Sequence, residues 1–64
     1  MDRAVRTITR TIDMPETARS VVVAIGDGYE VRSFQDTIEG TWETQDQFRL
    51  ANPAADIEVY RIVK

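Results

Sequence analysis

The 64-residue chain contains neither cysteine nor histidine. It can therefore form no disulfide and no thiolate zinc site, and it lacks the commonest general base and metal ligand of proteins. A chain of this length buries only about 60% of the surface that its unfolded form exposes, and unstapled chains this small often gain stability by oligomerising. We therefore expect a single domain over residues 1–64, a non-enzymatic function, no cofactor or metal, and a homo-oligomer such as a homodimer.

The chain also has no excess of positive charge and no long apolar run. Its net charge is −3, whereas binding to nucleic acids or acidic membranes depends on an excess of basic residues. No apolar run approaches the ~20 residues that span a bilayer, and the start MDRAVRTITR lacks the apolar core of a signal peptide. We expect a cytoplasmic protein that contacts neither membrane nor nucleic acid.

Residues 20–34, SVVVAIGDGYEVRSF, predict a β-hairpin on which the rest of the chain packs. Residues 21–25 are apolar and mostly β-branched, which favours a strand, and the sequence Gly26-Asp27-Gly28 favours a turn. A two-residue turn at Asp27-Gly28 would place Glu30 and Arg32 beside the valines. A three-residue turn would instead gather the apolar side chains on one face, namely Val21, Val23, Ile25, Tyr29 and Val31. We expect the second register, because it alone gives one coherent apolar face.

Residues 3–14, RAVRTITRTIDM, alternate in polarity and predict a first strand that ends at Pro15. Val5, Ile8 and Ile12 also fit a helical stripe, but the threonines favour a strand. The five residues 15–19 are enough to turn this strand back against residues 21–25. The expected unit is a three-stranded antiparallel meander.

The segment after Phe34 allows two interpretations. One has a fourth strand within residues 37–43, followed by a short helix over residues 45–51 with Thr44 as its N-cap. The other is a single helix over residues 37–50, which Gly40 and three threonines disfavour. In both, Asn52-Pro53 ends the helix, because the residue before a proline avoids the helical conformation.

Residues 57–63, IEVYRIV, predict a last strand with apolar side chains on both faces, as is usual for a central strand. A crossover through the helix would place it parallel to the fourth strand. The predicted fold class is α+β and β-rich, with a small antiparallel or mixed sheet of four to five strands and one short helix near residues 45–51.

The candidate functional residues are acidic and aromatic. The middle third is rich in carboxylates, with no spacing typical of a metal loop, and Gly26-Asp27-Gly28 is too short to cradle a phosphate. An acidic face can nevertheless receive a basic partner, and Trp42 lies in a polar neighbourhood where an exposed aromatic side chain favours an interface. We expect another protein to bind at Glu39, Trp42, Glu43 and Asp46. The composition suits a compact accessory or inhibitory protein such as those that bacterial viruses encode.

The alternative function is capture of an anion by the N-terminal arginines. On one strand, Arg6 and Arg10 would point to the same side, about 13 Å apart, and could hold a nucleotide or another anion between two subunits. Charged side chains also protect an edge strand against unwanted pairing, and for this arginine row we favour that explanation over a ligand site.

Overall fold

The computed structural model describes residues 4–64, which form a four-stranded mixed sheet and one α-helix. The elements in chain order are β1 (Arg6–Thr9), β2 (Ser20–Gly26), β3 (Tyr29–Gln35), α1 (Ile38–Ala51) and β4 (Asp56–Val63). The strand order in the sheet is β1-β4-β2-β3. The predicted α+β, β-rich fold class is confirmed.

The hairpin of β2 and β3 is present, but its register is the one with the two-residue turn. Gly26 pairs with Tyr29 and Val23 pairs with Arg32, so Glu30 and Arg32 lie on the same face as Val23. The expected three-residue turn is wrong. Among residues 4–64, only Gly28 has a positive φ, of 80°, and one positive φ at the second central position is what a type II turn requires.

The observed register differs from the predicted one because β2 is buried on both faces. Gathering all apolar side chains on one face would therefore not bury more apolar surface. All residues from Ser20 to Ala24 are buried. Side chains alternate along a strand, so Val22 lies on the face that α1 covers and Val21 lies on the opposite face. A small core follows from this arrangement, comprising Ala18, Val21, Val22, Val23, Ala24, Val59 and Ile62.

The first strand is shorter than predicted and pairs with a different strand. β1 ends at Thr9, and it pairs in parallel with β4, with Ile8 opposite Ile62. The three-stranded meander is therefore wrong, since β4 lies between β1 and β2. The loop after β1 is long enough to pass over the end of β4, and the backbone N–H of Arg10 donates to the carbonyl of Val63 at 2.7 Å.

The helix begins at Ile38 rather than at Gln45, so the interpretation with a single helix is the correct one and the fourth strand within residues 37–43 is wrong. Thr37 is the N-cap, and its Oγ1 accepts a hydrogen bond from the Gly40 N–H at 3.0 Å. This bond satisfies a backbone donor that the first turn leaves unpaired. The predicted end is confirmed, because α1 stops at Ala51 with Asn52 as its C-cap.

β4 is a central strand, as its two apolar faces predicted. It is parallel to β1 and antiparallel to β2, so the prediction that it pairs with a fourth strand from residues 37–43 is wrong. The helical crossover itself exists, from β3 to β4. Both of these strands are antiparallel to β2, which lies between them.

Candidate functional site

The candidate site is a groove between the first turns of α1 and the sheet. Its volume is about 370 Å³. The apolar part of its lining is Val5, Ile38, Trp42 and Val59, and the polar part is Arg19, Ser20, Asp36, Thr37, Glu39, Thr41 and Arg61. We call it the Trp42 groove.

Polar side chains hold the wall of the groove that α1 forms. Thr41 and Gln45 are the buried residues of the helix, at 1% and 2% exposure, and they lie one turn apart on the same side. The Thr41 hydroxyl donates to the carbonyl of Thr37 at 2.8 Å and lies 2.5 Å from the hydroxyl of Ser20 in β2. The hydroxyl pair therefore fixes the start of α1 against β2, one residue from Trp42.

Apolar side chains are exposed at the mouth of the groove. Ile38 is 58% exposed and Val5 is 46% exposed, while Trp42 is half-buried. Isolated exposed apolar residues are ordinary on protein surfaces, but here they lie together around a concave site beside a tryptophan. Such a site can accept an apolar side chain from a binding partner.

The three predicted acidic residues lie along one side of α1. Glu39, Glu43 and Asp46 are all exposed, and their spacing of four and then three residues places them on the same helix surface. The stripe is about 10 Å long at 1.5 Å per residue. Glu39 also lines the Trp42 groove, so this acidic stripe begins at the groove and continues along the helix.

Basic side chains surround a second cleft that adjoins the groove. This cleft has a volume of about 540 Å³ and shares Arg19, Asp36 and Arg61 with the Trp42 groove. Its basic residues are Arg10, Arg19, Arg61 and Lys64, and Glu16 and Asp36 are its acidic ones. Within residues 4–64, no carboxylate forms an ion pair with Arg19 or Arg61. We call it the cationic cleft.

The two predicted anion-binding arginines occupy different places. Arg6 lies in β1, with its Nη2 atom 3.6 Å from Oε2 of Glu58. Arg10 lies beyond β1, and its guanidinium donates to the carbonyl of Pro15 at 3.0 Å and to that of Ala18. Arg6 therefore faces β4, whereas Arg10 ties down the loop that precedes β2. β1 is an edge strand, as the protective interpretation requires, but of the two arginines only Arg6 lies in it, so the predicted placement of both on one strand is wrong.

The sheet face opposite α1 carries a shallow depression of about 200 Å³, beside Val21, Val23 and Tyr60. The Tyr60 hydroxyl donates to Oε1 of Glu58 at 2.7 Å. This bond to the carboxylate, together with partial burial, raises the pKa of Tyr60.

In the loop after β1, a hydrogen bond from the Thr11 hydroxyl lowers the pKa of Asp13. Neither Tyr60 nor Asp13 lines the groove or the cationic cleft.

Sequence reasoning identified Trp42 and Glu39 but missed other residues of the groove. A signal for Arg61 was present, because strand alternation places it on the same face as Val59. Arg19 and Val5 had no signal in the sequence, since only the order of the strands brings them to the groove.

Among residues 4–64 there is no group of three acidic side chains placed to hold a metal ion. No helix in that part of the chain is long and apolar enough to cross a bilayer.

We compared the chain with protein-family models, with curated proteins and with solved structures, and none of these comparisons gives a match.

Proposed function

We propose that this chain is a non-enzymatic protein-binding module. Its Trp42 groove takes an apolar side chain of the partner, and the acidic stripe contacts basic residues beside that side chain. The observation that carries the proposal is the exposure of Ile38 and Val5 around a concave site that contains Trp42. A module of this kind acts by occupying a surface of its partner, as accessory and inhibitory proteins do.

The combination of groove and stripe favours a protein over a small molecule. Protein interfaces concentrate their binding energy in a few apolar pockets, and tryptophan is common there. A polar rim surrounds these pockets. The acidic stripe extends the contact surface by about 10 Å along α1, beyond the groove itself. A peptide segment with one apolar side chain and nearby lysine or arginine matches both parts.

The test uses variants that change the groove without disturbing the core. Ile38→Ser removes an exposed apolar side chain at the groove. Leu50→Ser is the matched control, because Leu50 is 85% exposed and lies near the opposite end of the same helix. Proteins captured from cell extract by the original chain are compared with those captured by each variant. Both variants should keep the original circular dichroism spectrum and melting temperature.

We expect a partner that Leu50→Ser retains and that Ile38→Ser loses. Trp42 is the only tryptophan, so its fluorescence should also shift when a purified partner segment occupies the groove. Replacement of Glu39 and Glu43 by lysine should weaken the same complex and reduce its sensitivity to salt. Equal capture by all variants, with unchanged Trp42 fluorescence, would refute the proposal.

A second candidate function, anion binding, is favoured by the cationic cleft. Arg19 and Arg61 line it without a carboxylate partner among residues 4–64, and arginine binds phosphate groups through paired hydrogen bonds. A ligand that binds only the folded chain raises its melting temperature. A thermal shift with nucleotides that Arg61→Ala abolishes would support this function, and the absence of any shift would reject it.

A further inference from the structure

The outer edge of β3 is an unpaired strand edge of seven residues, Tyr29–Gln35. It lies at the opposite edge of the sheet from β1, and no residue of β3 lines the Trp42 groove. β3 pairs only with β2 among the described strands. An edge of this length offers a row of backbone donors and acceptors to another strand.

The pairing of the hairpin determines which backbone groups point outward. The two-residue turn makes Gly26 and Tyr29 a hydrogen-bonded pair, and such pairs alternate along an antiparallel ladder. The N–H and C=O groups of Val31 and Ser33 therefore point toward β2. Those of Glu30, Arg32 and Phe34 point away from the sheet, and within residues 4–64 they take part in no other backbone hydrogen bond.

We propose that β3 pairs antiparallel with β3 of a second copy of this chain, with the two-fold axis at Val31. In this register Val31 lies beside Val31 of the second copy, and Glu30 of each copy lies opposite Arg32 of the other. The pairs of Glu30 with Arg32 are the hydrogen-bonded ones, because the backbone groups of both residues point outward. The two sheets then form one continuous eight-stranded sheet.

Charge selects this register among those that the backbone allows. An axis at Arg32 would place two arginines side by side, and an axis at Glu30 would place two glutamates side by side. An axis at Ser33 would bring Glu30 opposite Asp36. Like charges directly opposite each other destabilise a strand pair, whereas opposite charges stabilise it. Among the residues of β3 itself, Tyr29–Gln35, only the axis at Val31 gives two pairs of opposite charge.

The apolar exposure along β3 suits the same partner. Val31 is 44% exposed and Tyr29 is 46% exposed, and both lie on the face that α1 covers. Pairing about Val31 covers the Val31 side chain of each copy with that of the other. It also brings Tyr29 of each copy opposite Ser33 of the other. Glu30 and Arg32 already form an ion pair of 2.8 Å within each strand. In the dimer they become a cluster of four alternating charges on the other face.

The decisive test is charge reversal followed by mixing, read as molar mass by sedimentation equilibrium. Glu30→Arg and Arg32→Glu each turn two attractive pairs into repulsive ones, so each variant alone should dissociate about tenfold more readily at low salt. The double variant with both changes should recover the original dissociation constant. An equimolar mixture of the two single variants should form a heterodimer.

A backbone test complements the test with charges. Arg32→Pro removes an N–H that points away from β2, so an edge strand tolerates it. It should give a folded monomer, whereas Arg32→Ala, which keeps the N–H, should retain measurable dimer. A monomeric original chain at millimolar concentration would overturn the proposal. So would a dimer that Arg32→Pro leaves intact, or a double variant that fails to recover. None of these results depends on the Trp42 groove.

Discussion

The pair of hydroxyls between Ser20 and Thr41 gives the sharpest prediction about stability. The Thr41 hydroxyl has one hydrogen, which it donates to the carbonyl of Thr37. The 2.5 Å contact with Ser20 must therefore use the hydrogen of Ser20. Both residues are buried, at 8% exposure for Ser20 and 1% for Thr41, so little water can reach a hydroxyl that loses its partner.

This geometry makes the two single substitutions unequal. Thr41→Val keeps the shape of the side chain but leaves the Ser20 hydroxyl buried without an acceptor, which should lower the free energy of unfolding by about 1–3 kcal/mol. Ser20→Ala should cost less, about 0.5–1.5 kcal/mol, because Thr41 keeps its bond to Thr37. The double variant should be more stable than Thr41→Val alone, since it contains no unpaired hydroxyl.

The assay is urea denaturation of the four proteins, followed by circular dichroism and analysed as a double-mutant cycle. Thr7→Val is the matched control, because Thr7 is exposed in β1, and it should change the free energy of unfolding by no more than about 0.5 kcal/mol. If the effects of Thr41→Val and Ser20→Ala are additive, the hydroxyl pair does not fix α1 against β2 and the reasoning is wrong.

Three further substitutions test the helix cap, the turn and the tyrosine. Thr37→Ala should lower the free energy of unfolding by about 1 kcal/mol, because the Gly40 N–H loses its acceptor, and Thr37→Ser should restore most of it in the same denaturation assay. Gly28→Ala should cost about 1–2 kcal/mol. The reason is backbone strain alone, since φ is 80° and a Cβ there would meet nothing within 4 Å; Gly28→Asn should cost less. The raised pKa of Tyr60 means that the fold favours its neutral form, so stability should be constant below pH 10 with respect to this group and should fall at higher pH. Tyr60→Phe should show a smaller loss in alkaline denaturation.

The results that would contradict these three predictions are equally specific. Equal stability of Thr37→Ala and the original chain would show that the cap does not stabilise α1. A Gly28→Ala variant as stable as Gly28→Asn would show that the turn does not require a left-handed residue. If Tyr60→Phe loses as much stability in alkali as the original chain, the bond to Glu58 does not hold Tyr60 in its neutral form.

Local sequence signals identified several elements correctly because the responsible physics is local. The β-branched run before Gly26 is a strand, and Asn52-Pro53 ends the helix. The two apolar faces of residues 57–63 indicated a central strand, since each face of such a strand needs cover. The same reasoning applied to residues 21–25 would have indicated burial on both faces, and it would have removed the argument for the three-residue turn.

The candidate site could be predicted only in part. Trp42 and Glu39 were identified because an aromatic side chain among acidic residues is conspicuous in the sequence. Glu43 and Asp46 join them on one side of a helix, although the sequence interpretation had placed Glu43 before the helix. Arg61 shares a face of β4 with Val59, which strand alternation indicates. Arg19 reaches the same region from the residue before β2, and no sequence pattern relates it to Arg61, which lies so far away in the chain.

The sequence by itself determined the absence of disulfides, the net acidity, the positions of the hairpin and the last strand, and the end of the helix, because each depends on composition or on a few neighbouring residues. Only the tertiary structure decided the order of the strands, the register of the hairpin and the start of the helix. The helix start illustrates the reason. Thr41 and Gln45 form the buried side of α1, so no apolar stripe in the sequence marks this side. Only the packing against β2, where the Ser20 hydroxyl bonds to Thr41, decides that it is buried.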